Sequence, residues 1–451
     1  MKRLLIKNFF LSKGVLIGLC ILLVAGLISF KIGKEFQHRN QRIIERTTQV
    51  QQDNIDRYVG YYKNSIGKAL YFIRFGITNE TSSLSGLSIG QRDINPSIAC
   101  VSIRSLEEQK YTSELINPMY KLLGNMDFSF ILIYFFPLII IAFCFNLFSE
   151  EKEGGTWSLI LTQSQTPGKI LRIKVSIRFI SIISMLLILL IIAKFYLNIP
   201  FEIPFLAYSL VAVLYLCFWF SLCWLVISFR KNSNSNALTL LLSWILLTIV
   251  IPASINAIVI RLYPISEAFD TVLDNREGVH DKWDKDREVT INRFKQYYPQ
   301  FTKYNHPKNA NFSWFWFYAS QEMGDIEAQV AASKLRAKLQ KRDILSQYAG
   351  MIFPTIHTQL TLNSISLSDS KNFMNYVKQL EQFHEQKRLY FYPKIFSNSS
   401  TIEENWNNFS ITKFQDKVAI NWLRAMFPYL LLIVLCIIIA NRNFSKISIH
   451  K

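Results

Sequence analysis

The residues with catalytic or metal-binding chemistry are scattered along this 451-residue chain rather than grouped. Acid pairs such as Asp284 and Asp286 fall in a strongly charged segment, which is typical of a solvated face. The histidines of the two long polar stretches do not pair with other ligands at the short spacings that metal sites favour; they are His38, His280, His306, His357 and His384. The sequence therefore predicts neither an enzyme nor a metal site, and it indicates no cofactor.

A nucleotide-binding loop is also missing from the sequence. Such a loop needs Gly-x-x-x-x-Gly-Lys-Ser/Thr, so that backbone N–H groups can surround the phosphates. The Gly-Lys pairs begin at Gly33, Gly67 and Gly168, and none is followed by Ser or Thr or preceded by Gly five residues earlier. If the protein works with ATP, another polypeptide must bind the nucleotide.

The polar segment 149–174, between two long apolar runs, carries the most informative pattern. Its parts are an acidic stretch, a glycine pair, a predicted short helix and a proline break that leads into a basic run: Glu150–Glu153, Gly154-Gly155, Thr156–Thr162 and Pro167-Gly168. A polar helix bracketed by turns between two membrane spans is typical of a docking element for a soluble partner. An ordinary solvated loop is the alternative interpretation.

This segment resembles the cytoplasmic loop of ABC-2-type exporter permeases, whose pattern is Glu-Arg/Lys-Glu-x-Gly-Thr, a Leu-rich turn, Pro and basic residues. In that family the loop carries the coupling helix that sits on the ATPase. The resemblance implies an ATPase-coupling role for Glu151, Glu153, Gly155, Thr156, Trp157, Leu159, Pro167 and Lys169, with Lys174 also in the pattern. Gly168 departs from it, because the family often has Leu, Val or Ser after the proline.

Composition and apolar runs define the fold class. Half of the residues (50%) are hydrophobic, and several apolar runs are long enough to cross a bilayer, which is typical of helical membrane proteins. The sequence predicts six transmembrane helices in an all-α membrane protein with cytoplasmic termini. The predicted spans are Gly14–Phe30, Phe128–Phe148, Arg178–Tyr196, Phe205–Phe229, Ala237–Val259 and Arg424–Ala440.

The net charge of +18 raises the possibility of nucleic-acid binding, but the location of the charges argues against it. With a cytoplasmic amino terminus, the short cytoplasmic pieces carry thirteen Lys/Arg against three Glu. Ten of the eighteen excess charges therefore lie on short cytoplasmic pieces. This asymmetry is the positive-inside pattern of a membrane protein, so no nucleic-acid partner is expected.

The two long polar stretches are predicted to form two largely helical extracytoplasmic domains. A long helix is expected from Lys31 to about Phe75, and two further helices at Asp325–Tyr348 and Asn372–Tyr392. Cys100 is the one cysteine outside the spans, so disulfides are not expected to hold these domains. The predicted divisions of the chain are 1–30, 31–127, 128–259, 260–421 and 422–451.

A dense aromatic run occupies residues 312–318 outside the spans. Trp314, Trp316 and Tyr318 are candidates for an extracytoplasmic contact surface or an interfacial belt, whereas the core of the external domain is the other interpretation. The surrounding stretch also resembles a branch of these permeases with a large external insertion of unknown role. That resemblance rests on His306-Pro307, Trp314, Tyr318, Gln321 and Phe383-His384.

The resemblance implies a permease subunit of an ATP-driven exporter in the bacterial inner membrane. Its expected partners are a cytoplasmic ABC ATPase, the lipid bilayer and a second permease chain, identical or a sister. A membrane receptor or anchor is the main rival, although such a protein usually carries a cytoplasmic signalling domain. An intramembrane enzyme is the other rival, but it needs ionisable groups deep in the spans, and the mid-span positions lack them.

Overall fold

The computed structural model describes residues 2–110, 125–157, 167–264, 277, 281–282, 286–307 and 310–445. Most of these residues are helical, so the predicted helical membrane fold is confirmed. The main helices are α1 (Lys2–Leu11), α2 (Lys13–Tyr61), α3 (Ile66–Phe72), α4 (Leu106–Lys110), α5 (Phe128–Glu153), α6 (Pro167–Tyr196), α7 (Ile203–Ser228), α8 (Ser233–Leu262), α9 (Arg287–Tyr297), α10 (Trp314–Ile352), α11 (Pro354–Ile365), α12 (Ser370–Phe396) and α13 (Trp422–Ser445).

Six helices of the described chain, α2, α5, α6, α7, α8 and α13, are long and apolar enough to cross a membrane. They coincide with the six predicted spans, but most run beyond the predicted ends. Helix α6 begins at Pro167 rather than Arg178, and α5 continues past Phe148 to Glu153. The backbone hydrogen bonds of these helices continue through the polar residues at their ends, beyond the apolar stretch. Hydropathy alone does not detect this continuation.

Helix α2 is one continuous helix of 49 residues. At 1.5 Å per residue it is about 74 Å long, more than twice the ~30 Å thickness of a bilayer core. The predicted extension beyond the first span is therefore confirmed as far as Tyr61. Near the point where α2 leaves the apolar region, a Cβ on Gly33 would lie 1.9 Å from the carbonyl oxygen of Gly86, so only glycine permits this approach.

Two spans contain a π-helical turn two residues before a proline. In α5 the turn covers Ile131–Phe135 and precedes Pro137; in α8 it covers Leu246–Val250 and precedes Pro252. Proline has no N–H for the carbonyl four residues earlier. In α5 that carbonyl belongs to Ile133, and it accepts a 3.0 Å hydrogen bond from the Tyr215 hydroxyl of α7.

The two long polar stretches share one hydrophobic core, to which residues from 55–106 and 291–409 contribute. We call this unit the polar domain. It contains a small sheet that the sequence did not predict, with strand order β2-β1-β3. Strand β1 (Phe75–Asn79) pairs antiparallel with β2 (Ile98–Val101) and parallel with β3 (Thr412–Phe414). The two stretches predicted as separate domains are therefore joined by strands more than 300 residues apart.

Helix α11 joins the polar domain to the spans and was not predicted. Its Leu362 and Ile365 belong to the hydrophobic core of the spans. The His357 ring donates from Nε2 to the Ala425 carbonyl of α13 at 3.0 Å, and the Thr358 and Tyr429 hydroxyls lie 2.7 Å apart. The polar domain is thus bonded to the sixth span through side chains, in addition to its chain connections.

The aromatic run at 312–318 forms the beginning of α10. Trp316 and Tyr318 are completely buried, and the Tyr318 hydroxyl donates to the Gly67 carbonyl of α3 at 2.9 Å. The contact-surface interpretation is therefore wrong for these two residues, because their rings fill the core of the polar domain. Trp314 is half-buried and packs on Gly67.

Candidate coupling surface at the ends of the spans

Several helix ends meet at one end of the span bundle. The last turn of α5 and the first turn of α8 are in contact through Glu153 and Ser233, and Arg230 after α7 donates to the Asn443 carbonyl near the end of α13 at 2.6 Å. Helix α1 belongs to the same end, because Phe9 packs on Phe143 of α5 with ring centroids 5.7 Å apart. The described parts of both termini therefore lie at the end that carries segment 149–174.

The last turn of α5 leads into a glycine turn. Gly155 has a φ of +72°, a left-handed conformation that side chains with a Cβ rarely adopt. A Cβ at Gly155 would meet no atom within 4 Å, so the backbone angle, and not a lack of space, requires glycine. The turn brings Thr156 back over the helix, where its hydroxyl lies 3.1 Å from the Glu151 carbonyl oxygen.

Glu151 connects the two spans that flank the segment. Its carboxylate accepts hydrogen bonds from the Thr156 hydroxyl and from the Lys174 ammonium group of α6. The Glu151 and Lys174 side chains are only 18% and 12% exposed. This ion pair therefore faces into the protein and fixes the end of the second span against the beginning of the third.

Glu153, one of the predicted coupling residues, connects α5 to the start of the fifth span. Its carboxylate accepts hydrogen bonds from the backbone N–H and the hydroxyl of Ser233, both at 2.8 Å. The Ser149 hydroxyl lies 2.7 Å from the Ser233 hydroxyl oxygen, to which it can donate. A carboxylate at a helix N-terminus satisfies free N–H groups and interacts favourably with the helix dipole. Glu153 thus holds the start of the fifth span, so less of its carboxylate is available for contact with a partner.

The exposed side of this surface is formed by the residues that follow the apolar part of α5. Glu150, Lys152, Glu153, Gly154, Gly155 and Thr156 are exposed, whereas Ser149 is buried. The Trp157 ring packs against Phe148 at 4.8 Å between centroids and anchors the far end of the turn. The result is a short, fixed, mixed-charge surface that projects from three helix ends.

The remaining predicted coupling residues are only partly described. Pro167 and Lys169 lie in the first turn of α6, where a proline at the first position costs no hydrogen bond. Leu159 and most of the helix predicted at Thr156–Thr162 lie outside the described residues. Sequence reasoning missed the contribution of Ser149, Ser233 and Asn232, whose side chain caps α8 by accepting from the Ser235 N–H at 2.9 Å. The Asn-Ser pair before an apolar run was a usable helix-start signal.

Comparison with known families gives two matches. Residues 10–305 match the family described as ABC-2 family transporter protein. The chain belongs to this ABC-2 transporter family. Residues 268–415 match a domain of unknown function, DUF3526. Comparisons with curated proteins and with solved structures gave no match.

The ABC-2 match covers the first five spans and the surface described above. The DUF3526 match covers α9 to α12 and ends before the sixth span. ABC-2 permeases are multi-pass membrane subunits of transporters, and in general they are not catalytic themselves and partner an ATPase subunit. The chain is therefore a transmembrane transporter subunit whose polar domain has no assigned role.

Proposed function

We propose that this ABC-2 chain is the permease subunit of an ATP-driven exporter and that the surface around Glu150–Thr156 contacts a separate ATPase. The observation that carries the proposal is the combination of exposure and attachment at this surface. Its outer side chains are exposed, while Glu151 and Glu153 bind it to the third and fifth spans. A force applied to this surface is therefore transmitted to the second, third and fifth spans together.

The proposed mechanism follows from these attachments. ATP binding would close the ATPase dimer and press on the turn at Gly154–Thr156. Because the Glu151–Lys174 ion pair and the Glu153–Ser233 cap hold three helix ends as one unit, the ends would move together. Since packed helices respond as rigid bodies, the shift would open a path between spans rather than bend one helix.

We propose that the coupling surface faces the cytoplasm of a bacterium, and that the polar domain lies on the outer side of the inner membrane. The support is the charge asymmetry: thirteen Lys/Arg against three Glu on the pieces at this end. A cysteine at exposed Asn64, in a protein without Cys100, is expected to react with an impermeant maleimide in spheroplasts. Protection of that cysteine would contradict the orientation.

A second permease chain, identical or a sister, is proposed to complete the transporter. In the most apolar stretch of the fifth span, only 11% of the residues are buried within this chain. The corresponding share is 61% for the second and fourth spans. A path through the membrane needs walls on all sides, and this exposed helix offers an apolar surface to lipid or to the second chain. Cross-linking that detects one permease chain per ATPase pair would contradict this stoichiometry.

The coupling proposal is tested by reversing an exposed charge without removing an internal bond. Glu153 is unsuitable, because Glu153→Lys also removes the acceptor of the Ser233 N–H at the start of α8. Glu150 is exposed and adjacent to the turn, so Glu150→Lys is the better variant. Glu403→Lys makes the same change at an exposed position of the polar domain and serves as the matched control.

The expected result is at least a tenfold loss of ATPase co-purifying with tagged Glu150→Lys, with Glu403→Lys at the wild-type level. Gly155→Pro is expected to have the same effect, because proline cannot adopt a φ of +72°. Both variants should insert and fold, which size-exclusion chromatography in detergent verifies. Wild-type recovery of ATPase with both coupling variants would refute the contact.

A further inference from the structure

A cavity of about 460 Å³ lies in the polar domain, and none of its lining residues belongs to the coupling surface. One wall is the face of α10 that carries Glu322, Asp325, Gln329 and Arg336, and the opposite wall is the face of α12 that carries Glu381, His384, Glu385 and Arg388. Spacings of three and four residues place each set on one helix face. Tyr297 and Tyr298 at the end of α9, with Leu106 and Glu107 at the start of α4, line the rest of the cavity.

The charges around this cavity do not balance. Arg388 pairs with Glu322 at 2.6 Å and also with Asp325. Lys110 pairs with Glu107 at 2.5 Å and with Glu381 at 2.7 Å, and Arg336 also pairs with Glu381. With Glu385, the cavity and its pairs contain five carboxylates and three cationic groups among the described residues. A local excess of negative charge has thus formed in a chain whose net charge is +18.

Glu107 has an acceptor atom that no donor among the described residues satisfies. The residue is 8% exposed, and its Oε1 accepts from Lys110, but its Oε2 is buried without a hydrogen-bond donor. Burial raises the pKa of this carboxyl group. A buried charged acceptor without a donor destabilises the fold, so native proteins rarely retain one without a reason. A ligand that donates to Oε2 would offset that destabilisation.

A second shortage of donors lies at Tyr298. Its hydroxyl oxygen is 3.1 Å from Oε1 of Glu322 and 3.1 Å from Oε1 of Glu385, but a tyrosine has a single proton to donate. Glu322 also accepts from Tyr392 at 3.0 Å and pairs with Arg388. Glu385 is therefore the carboxylate with too few hydrogen-bond donors. It is half-buried at the edge of the same cavity.

We propose that this cavity binds a small organic cation through an ammonium group that donates to Glu107 and Glu385. An ammonium group has three donors and no acceptor, which matches the unsatisfied oxygen of Glu107 and the carboxylate of Glu385, whose tyrosine partner has one proton for two acceptors. Tyr297 and Tyr298 also line the cavity, and its volume lies in the range of small-molecule sites. No group of three metal-ligating side chains is found among the described residues, which favours an organic ligand over a metal ion.

The test is calorimetric titration of the purified full-length permease with 1,4-diaminobutane at pH 7.5 and low salt. The neutral isostere 1,4-butanediol is titrated in parallel. Glu107→Gln removes the charge but keeps a carbonyl that accepts from Lys110, and Glu385→Gln does the same at the edge of the cavity. The matched control is Glu404→Gln, since Glu404 has a side chain that is 5% exposed and pairs with Lys394 but lies outside the cavity.

The expected result is stoichiometric binding of the diamine and none of the diol, with affinity reduced at least tenfold in Glu107→Gln and Glu385→Gln and unchanged in Glu404→Gln. If Glu107→Gln does not fold, Glu385→Gln decides the outcome. The proposal is overturned if the wild-type protein does not bind the diamine, binds the diol equally well, or loses no affinity in either cavity variant. Because no ATPase is present, this result is independent of the coupling proposal.

Discussion

In the span bundle the buried polar side chains are mostly hydroxyls that bond to backbone carbonyls, whereas the polar domain buries Glu322, Asp325 and Arg388 side by side. The difference follows from the surroundings of each region. A span in a bilayer has no water nearby, and an ionised side chain there is costly. The polar domain instead offsets the desolvation of its most deeply buried charges through several partners each: Asp325 accepts from the Ser105 hydroxyl, from the backbone N–H groups of Leu106 and Glu107, and from Arg388.

The two regions therefore depend on polar contacts to different degrees. In the spans, most side-chain hydrogen bonds join one hydroxyl to one carbonyl, as Tyr215 does at the carbonyl freed by Pro137. In the polar domain, one arginine holds two carboxylates and the Ile103–Arg104 backbone, to which it donates as well. Removal of a single group should therefore cost much more in the polar domain than in the spans.

The largest effect is expected for Arg388→Met, which keeps the length of the side chain and removes its charge. Glu322 and Asp325 would then remain buried without their cationic partner, and such a loss costs ~3–5 kcal/mol of the free energy of unfolding. Urea denaturation of the detergent-solubilised protein, followed by tryptophan fluorescence, measures it. Arg336→Met is the control, because the Arg336 side chain is 43% exposed and its ion pair should contribute ~1 kcal/mol or less.

A smaller effect is expected from the protonation of His384. Burial, together with the nearby charge of Arg388, lowers the pKa of its imidazole from 6.5 to about 3, and its Nε2–H donates to the Ser102 carbonyl at 2.9 Å. Between pH 6.5 and 3 the unfolded chain therefore binds more protons at this site than the folded chain. The free energy of unfolding contributed by this group should fall by ~2 kcal/mol between pH 8 and pH 5.

The variant His384→Gln isolates this contribution, since glutamine donates to the same carbonyl but does not titrate. Carboxyl groups with raised pKa values, such as those of Glu107 and Glu322, change stability with pH in the opposite direction. The measurement is therefore the difference between the wild-type and variant denaturation curves at each pH. Parallel pH profiles for the two proteins would show that His384 is not held neutral by the fold.

The smallest effect is expected in the spans, for Tyr215→Phe. The variant leaves the Ile133 carbonyl without its donor from α7, which costs ~1–2 kcal/mol. In a Pro137→Ala background the restored N–H can serve that carbonyl, so the cost of Tyr215→Phe should shrink. A double-mutant cycle of thermal stabilities measures this coupling. Equal costs in both backgrounds would mean that Pro137 does not create the need for Tyr215.

The elements of the polar domain were harder to predict from the sequence than the spans. Apolar runs identify spans because the hydropathy of each run is enough to place it in the bilayer, whatever its neighbours are. All six predicted spans are present in the structure. Helix α11 was missed because its polar and apolar residues alternate without a clear face; His357 and Thr358 contact the sixth span while Leu362 joins the span core. Strand β3 was missed because three residues give no pattern by themselves.

The candidate coupling surface shows the same division at the level of single residues. Its acidic stretch, glycine turn and proline could be identified from residue types and spacing, because a turn and a helix start are local events. The tasks of its carboxylates could not, since Ser233 lies 80 residues beyond Glu153 and Lys174 lies 23 beyond Glu151. The two glutamates look alike in the sequence, yet one joins two spans and the other caps a third.

By itself, the sequence determined the number of spans, the distribution of positive charge and the position of the segment between the second and third spans. These properties depend on hydropathy and charge summed over short stretches, to which distant residues contribute little. Only the tertiary structure decided that two separate polar stretches form one domain and that Glu107 and Glu385 lie at one cavity. Such decisions depend on which surfaces bury each other and on which charges lose water together, and both are properties of the packed chain.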